Sequence, residues 1–331
     1  MNTKEVYLSA KEKRSRFFEK YGLFLILLGM CLIMTLLKPE FLTYRNLSNI
    51  LRQQTPIAIM SLGVTFTIIS GGIDVSGGSV IALCSVICAS LAHPAANGSG
   101  AGEFPFIVTL LTPILAGGAL GTLNGLVISF GRIPPFIATL GMMATARGLA
   151  LIISDGKPIN GFTEHFNYIG RGVLFGVPFP IYILAFAAII AYIILHKTKF
   201  GVSVFSIGSN ETAAVVSGVN VKRNKTLVYT LAGALTGIAA IVLTSRTLAG
   251  QPASGVGYEM DAITGAVIGG TSFAGGIGTI VGTIIGAIIM GILSNGMTML
   301  QIDPSLQQVV KGLVIVGAVL LDERKHHFLS K

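Results

Sequence analysis

Apolar residues occupy most of this 331-residue chain in long runs, which polar or glycine-rich breaks separate. A helix needs ~20 apolar residues to cross the hydrocarbon core of a bilayer, and many of the runs approach that length. The pattern therefore predicts an all-α integral membrane protein with about ten transmembrane helices. The predicted spans are residues 21–37, 55–70, 79–93, 105–130, 134–153, 179–196, 226–244, 259–270, 278–300 and 305–321.

Two of the breaks are glycine motifs that resemble each other, at residues 70–79 and 269–278. Each motif follows one apolar stretch and precedes another. Paired glycine-broken spans in a transporter indicate an internal repeat and point to the substrate pathway. The alternative is that both motifs are ordinary turns between spans, and the number of spans depends on how they are read.

Composition makes the bilayer the expected solvent of the chain. Charged residues make up 11 % of it and the mean hydropathy is +0.78, whereas a soluble domain is about 25 % charged. The 42 glycines allow membrane helices to approach closely, and Gly282, Gly286 and Gly291 have a spacing suited to such packing. All three cysteines lie in apolar runs and are expected to be buried hydrophobes rather than metal ligands or a disulfide: Cys31, Cys84 and Cys88.

Lysine and arginine positions give the predicted helices a direction. If the N-terminus is inside and the spans alternate, most of these residues fall in cytoplasmic segments, as the positive-inside rule requires. Both termini are then cytoplasmic, and the net charge of +9 reflects this topology rather than a nucleic-acid-binding surface. We expect one transmembrane domain over residues 1–331, with cytoplasmic parts at 1–20, 197–225 and 322–331.

The residues that carry chemistry do not form the pattern of an enzyme. The sequence has no cluster of acids, bases and nucleophiles, no metal-ligand spacing and no glycine-lysine motif of the kind that holds ATP phosphates. We expect no catalytic residue, no metal and no cofactor, so that any ATP hydrolysis occurs on a partner chain. Such a chain would be the membrane subunit of an ATP-driven transporter. The alternative is a gradient-driven secondary carrier or a facilitative channel, which the scarcity of acids within the spans disfavours.

Polar groups in or beside the spans are the candidates for a substrate pathway, because burying them in a membrane is costly. Asp74 either contacts the substrate or caps a helix next to the glycines, and Arg147 could pair with it. Each buried asparagine either binds a polyhydroxyl solute or joins two helices, and joining is favoured for any single one. The candidate pathway residues are Gly71, Gly72, Asp74, Asn124, Gly269, Gly270, Thr271 and Asn295; the remaining ionisable groups near spans are Glu259, Asp261 and Lys311.

The cytoplasmic loop 197–225 carries the clearest functional pattern. Asn210 is predicted to cap a short helix, Glu211 follows at its positive end, and Gly218 is placed to end it. A short helix with a small apolar surface outside the membrane is suited to a groove on a partner protein, the alternative being a helix that rests on lipid. The predicted coupling residues are Gly201, Gly208, Asn210, Glu211, Ala213, Ala214 and Gly218.

Six short motifs, spread from about Phe41 to Asp322, resemble those of one known family. They are Asn46-Leu47-x-Asn49-Ile50-Leu51, Ser70-Gly71-Gly72-Ile73-Asp74, Phe136-Ile137-Ala138-Thr139-Leu140, Ile207-Gly208-x-Asn210-Glu211, Gly257-Tyr258-Glu259-x-Asp261-Ala262-Ile263 and Gly269-Gly270-Thr271-Ser272. Jointly they are similar to the permeases of carbohydrate ATP-binding-cassette importers, and most of all to those that import ribose.

This resemblance implies a multi-pass permease of the bacterial inner membrane that transports a monosaccharide, with a ribose-like pentose the first choice. A cytoplasmic ATPase would contact residues 201–220 and rock two permease subunits, as a homodimer or as a heterodimer with a close relative. A periplasmic sugar-binding protein would deliver the sugar to loops such as 154–178 and 246–258. The two glycine motifs would lie near the pathway.

Overall fold

The computed structural model describes the backbone of residues 10–92 and 104–329, and the side chains of residues 21–92, 104–320 and 322. Parts of three predicted segments lie outside the described residues: positions 1–9, position 93 of the third span and positions 330–331. The helices are α1 Ala10–Leu37, α2 Tyr44–Ile69, α3 Gly77–Ala92, α4 Phe106–Gly131, α5 Pro135–Ile153, α6 Glu164–Arg171, α7 Phe179–Lys197, α8 Lys199–Ser209, α9 Glu211–Val216, α10 Val221–Thr247, α11 Tyr258–Ile268, α12 Ile280–Met299 and α13 Pro304–Leu329.

Short elements connect some of the helices. A 3₁₀ helix, Pro39–Leu42, lies between α1 and α2. Strands β1 Ile159–Asn160 and β4 Ala249–Gly250 pair antiparallel, and strands β2 Val173–Leu174 and β3 Val177–Pro178 form a separate hairpin. The predicted all-α class is therefore confirmed for the described residues, with these two minimal ribbons added.

A helix lies at each of the ten predicted spans, but the helices differ in length. Among the described residues, five are long and apolar enough to cross a membrane: α4, α5, α7, α10 and α12. The α11 helix has 11 residues, which at 1.5 Å per residue is about 16 Å and too short to cross alone. Gly257, with φ 82°, starts this helix, and the glycine motif ends it. Ten crossing helices and the sidedness of the termini stay predictions.

Three helices begin clearly earlier than the apolar runs predicted: α1 at Ala10, α2 at Tyr44 and α10 at Val221. The α2 helix begins at Tyr44, well before residue 55, because the hydroxyl of Thr43 caps its first turn by accepting from the Asn46 amide at 3.4 Å. Its polar first turns had concealed this start. The segment 197–225 holds two short helices rather than one, since α8 precedes the predicted α9.

The centre of the fold is α2. All of its residues from Gln54 to Ile69 are buried, and α7, α10, α11 and α12 pack around it. Its hydroxyl groups bond within the helix, as Ser61 does with the Ile57 carbonyl and Thr65 with the Ser61 carbonyl, both at 2.8 Å. Of the 18 most apolar consecutive residues, 67 % are buried in α10 and in α12 and only 17 % in α5, which places α5 at the periphery.

Close helix packing depends on glycine, as expected for a membrane interior. Along α4, Gly117, Gly121 and Gly125 face the backbone of α10, and a Cβ atom at Gly121 would overlap the Tyr229 carbonyl oxygen. On α12, Gly282 and Gly286 lie against the backbone of α11, which confirms the packing role predicted for them. Gly291 faces the side chain of Gln54 instead. The cysteines are free, with Cys84 and Cys88 buried and Cys31 partly buried.

Candidate functional site

The two glycine motifs end their helices in the same way. Gly71 and Gly270 adopt φ of 79° and 89°, in the left-handed region that glycine tolerates. After α2, the amides of Gly71 and Gly72 donate to the carbonyls of Ile68 and Thr67. After α11, the amides of Gly270 and Thr271 donate to Val267 and Ala266 in the same register. The resemblance in sequence thus corresponds to one shared helix-ending motif.

The two motifs meet at a backbone contact that α8 completes. The Gly276 amide donates to the Ile69 carbonyl at 2.9 Å, which joins the loop after α11 to the end of α2. A Cβ atom at Gly208 of α8 would overlap the same Ile69 oxygen and lie 2.6 Å from the Gly276 nitrogen. We call this contact of Ile69, Gly208 and Gly276 the backbone junction. It connects the segment 197–225 to both glycine motifs.

The segment 197–225 forms the capped short helix that the sequence predicts. The side chain of Asn210 accepts from the Ala213 amide at 2.9 Å, and Gly218 ends the turn with φ 83°. Glu211, at the helix start, forms a salt bridge with Lys225 at 2.7 Å. Ala214 is buried against α8 and α10.

The predicted coupling residues divide between packing and surface. Gly201, Gly208 and Ala214 lie against other parts of the chain, whereas Asn210, Glu211, Ala213 and Gly218 are exposed. The surface also includes Val215 and Val216, with exposed fractions of 57 % and 84 %, which the sequence analysis had not selected. The signal available in the sequence was a pair of β-branched apolar residues at the end of a short helix that lies outside the predicted spans. We call residues 209–218 the docking segment.

Three of the predicted pathway residues come together in a buried cluster. A carboxylate oxygen of Asp74 accepts from the Ser76 amide at 2.8 Å and from the Ser76 hydroxyl at 2.6 Å. The Asn124 side chain donates to that hydroxyl at 3.2 Å. A Cβ atom at Gly72 would overlap the phenol oxygen of Tyr229, which closes the cluster. These contacts favour the capping interpretation of Asp74, just before α3.

The other predicted pathway residues lie elsewhere. Asn295 exchanges two amide hydrogen bonds with Asn46, at 3.0 and 3.1 Å, so its side chain joins α12 to the start of α2. Gly269 packs against Gly282, and Thr271 is fully buried. These contacts favour helix packing for Asn295.

The second glycine motif is also tied to α13. The Ser272 hydroxyl and the Phe273 amide both donate to one carboxylate oxygen of Asp322, at 2.9 and 3.0 Å. The C-terminal helix is therefore held near the backbone junction.

Charged side chains gather around a non-helical stretch, residues 251–257, that leads into α11. Arg147 donates to the carbonyls of Pro252, Ser254 and Gly78, the last two at 2.8 and 3.1 Å, rather than to Asp74. One carboxylate oxygen of Glu259 accepts from the amide of Gly257 at 3.3 Å. The carboxylate of Asp261 forms a salt bridge of 2.7 Å with Lys311 of α13.

Three arginines surround a surface cavity of about 350 Å³ at the opposite end of α2 from the backbone junction. Arg52 belongs to α2, Arg171 is the last residue of α6, and Arg246 lies in the last turn of α10. Arg171 and Arg246 fall within the stretches 154–178 and 246–258 that are expected to face outward. The guanidinium of Arg171 donates to the Arg246 carbonyl at 3.3 Å. Within the part of the chain that the structure describes, none of these three arginines forms a salt bridge.

Known proteins resemble the chain over nearly its whole length. Residues 46–319 match a family described as the permease component of branched-chain amino acid transport systems. The ribose import permease RbsC of Bacillus subtilis is 42 % identical over 96 % of this chain and 98 % of its own. The D-allose transport system permease AlsC of Escherichia coli is 36 % identical over 97 % and 98 %. The galactose/methyl galactoside import permease MglC of Haemophilus influenzae is 36 % identical over 96 % and 99 %. No solved structure gives a significant match.

Proposed function

This chain belongs to the family of permease components of branched-chain amino acid transport systems, and we propose that it is the membrane-spanning subunit of an ATP-driven importer of a ribose-like pentose. It is a sugar-transport permease of the bacterial inner membrane. The observation that carries the proposal is 42 % identity to a ribose import permease over 96 % of the chain. The relatives named for allose and galactose share 36 %, which favours the pentose.

Energy for transport comes, in this proposal, from a cytoplasmic ATPase that binds the docking segment. Val215 and Val216 offer an apolar contact outside the membrane, and Ala214 anchors the short helix to the body of the chain. A displacement of this helix would move Gly208 near the end of α8. Gly208 contacts the end of α2 and the loop after α11, so both would move with it. The backbone junction would so pass ATP-driven motion to both glycine motifs.

Sugar delivery comes from a periplasmic binding protein that docks at the arginine cavity. Arg52, Arg171 and Arg246 present positive charge without a carboxylate in salt-bridge range among the described residues. Such a patch fits carboxylates on a partner surface, because complementary charges steer association and fix its register. A second permease copy, identical or closely related, completes the transporter.

Reconstitution into vesicles tests the function. We expect sugar uptake only when the chain is combined with a cognate ATPase, a binding protein and ATP, and we expect the purified chain alone to hydrolyse no ATP. Ribose, allose and galactose are compared as competitors, with ribose expected to compete best. Uptake by the lone chain under a proton or sodium gradient would instead establish the secondary-carrier alternative.

Replacing Val216 with aspartate is expected to release the ATPase without unfolding the permease. The side chain is 84 % exposed, so the change costs the folded chain little, yet it places a charge in the proposed contact. Losing the apolar contact and burying a carboxylate should weaken binding by about tenfold or more. Copurification of the ATPase with the permease measures this.

The matched control is Phe175→Asp, an equally exposed apolar position in the hairpin of β2 and β3. It lies in the outward-facing loop and should leave copurification unchanged. Equal ATPase recovery from Val216→Asp and wild type would show that the docking segment is wrongly assigned.

A further inference from the structure

We propose that Arg147, Glu259, Asp261 and Lys311 contact the sugar on its way through the membrane. We call these four residues the charged belt. The proposal rests on the function inferred above and deepens it, because it assigns the sugar-contacting surface to a place that differs from the Asp74 cluster. That cluster is enclosed within one subunit, whereas Arg147, Glu259 and Lys311 are each partly exposed.

Two members of the charged belt, Arg147 and Lys311, lie within the predicted spans 134–153 and 305–321. From the start of α13 at Pro304 to Lys311 the helix rises about 10 Å, and from Lys311 to Asp322 about 16 Å. In α5, Arg147 lies about 9 Å before the end at Ile153. Both helices thus carry a charge well inside the membrane and at a similar distance from one end.

Partly exposed charges at this depth cannot face lipid. The Lys311 side chain is 26 % exposed and its partner Asp261 12 % exposed, while an ionised group in hydrocarbon costs several kcal/mol. Charged groups in membrane helices therefore face a protein interior or a water-filled space. Because the belt stays partly open within one subunit, the space in front of it fits a water-filled pathway between two subunits.

The backbone beside the belt supports this assignment. Residues 251–257 are largely non-helical, and Gly255 and Gly257 have φ of 75° and 82°. Non-helical backbone at membrane depth is tolerated only where protein covers it or where it lines a water-filled cavity. Val256, at 74 %, is among the most exposed side chains of this stretch, so at least part of it is open. Arg147 fixes its shape through the carbonyls of Pro252 and Ser254.

The chemistry of the belt fits an uncharged polyol. Two cationic and two anionic side chains leave no net charge to attract an ion. Guanidinium and ammonium groups donate hydrogen bonds and carboxylates accept them, so neighbouring hydroxyls of one sugar find both kinds of partner. Val256 and Met260, both more than half exposed, can pack against the C–H faces of the ring.

Cysteine accessibility tests where the belt faces. In a Cys31→Ser background, Met260→Cys is compared with Phe186→Cys on the outer helix α7, since the two native side chains are 51 % and 67 % exposed. The probe is a charged, membrane-impermeant methanethiosulfonate, applied to the transporter assembled with its ATPase and binding protein in membranes. We expect labelling of Met260→Cys, protection by ribose and no labelling of Phe186→Cys. A Met260→Cys position as inert as the control would overturn the proposal.

Exchanging the charges of Asp261 and Lys311 tests for sugar contact while keeping the salt bridge between the two helices. The variant carrying Asp261→Lys and Lys311→Asp keeps a salt bridge between α11 and α13 but reverses the donor and acceptor presented to the sugar. We expect an assembled complex that still carries out ATP-driven uptake with a KM for ribose raised about tenfold, and the same KM shift from Lys311→Gln. Wild-type KM in both variants would overturn the proposal while leaving ATP-driven uptake, and therefore the proposed function, intact.

Discussion

Replacing Gly121 with alanine is expected to destabilise the protein by about 3 kcal/mol or more, the upper range for overpacked interiors. The added Cβ would overlap the carbonyl oxygen of Tyr229, and backbone of a buried helix cannot turn aside as a side chain can. The α4 helix must therefore move away from α10, its most extensive partner. Gly117 and Gly125 depend on the same approach and would lose their contacts with it. Thermal unfolding of the detergent-solubilised permease measures the loss.

Gly118→Ala is the matched control on the same helix. There the new Cβ would meet the Ala234 methyl at 3.8 Å, an ordinary van der Waals distance. Alanine favours a helix over glycine by about 1 kcal/mol, so this variant should be as stable as wild type or slightly more stable. If both variants unfold at the same temperature, the close contact of α4 and α10 is not what holds this part of the fold.

Gly208→Ala is expected to lower the rate of sugar uptake at least about tenfold. Overpacking costs about 1–3 kcal/mol, and here that strain falls on the backbone junction. Its Cβ would overlap the Ile69 oxygen and press on the Gly276 amide, so α8 cannot keep its place against both glycine motifs. The exposed valines of the docking segment are untouched. The ATPase should therefore still bind while its hydrolysis no longer drives transport.

Two measurements together, ATPase copurification and ATP-driven uptake, check this separation. Gly317→Ala on α13 is the control, because a Cβ there meets no atom within 4 Å and both measurements should match wild type. Wild-type uptake by Gly208→Ala would show that motion reaches the membrane helices by another route. The contrast with Val216→Asp is direct, since that change should remove binding itself.

The sequence predicted the helices well where a single physical cause forms them. Long apolar runs such as α4, α5 and α7 lie where hydropathy places them. The start of α2 was missed because a cap at Thr43, rather than hydropathy, sets it. The α8 helix was missed because its apolar residues lie among glycine and serine outside the membrane pattern.

The candidate site could be predicted only for contacts that are local in the chain. Asn210 as a cap and Gly218 as a stop involve neighbours a few residues away, and both are observed. The backbone junction joins segments far apart in the chain, and its contacts are made by backbone atoms that carry no sequence signature. The salt bridge of Asp261 and Lys311 similarly joins two helices whose proximity hydropathy does not encode.

The burial of α2 on every side has a consequence for the order in which the chain enters the membrane. The ribosome makes α2 before α10, α11 and α12. When α2 enters the membrane, lipid therefore surrounds the faces that these helices later cover. The hydroxyls of Ser61 and Thr65 each donate to a carbonyl of their own helix, so neither donor is left unpaired before α12 arrives and its Thr283 hydroxyl joins Thr65 at 2.6 Å. The later helices can then gather around a core that was stable in lipid from the start.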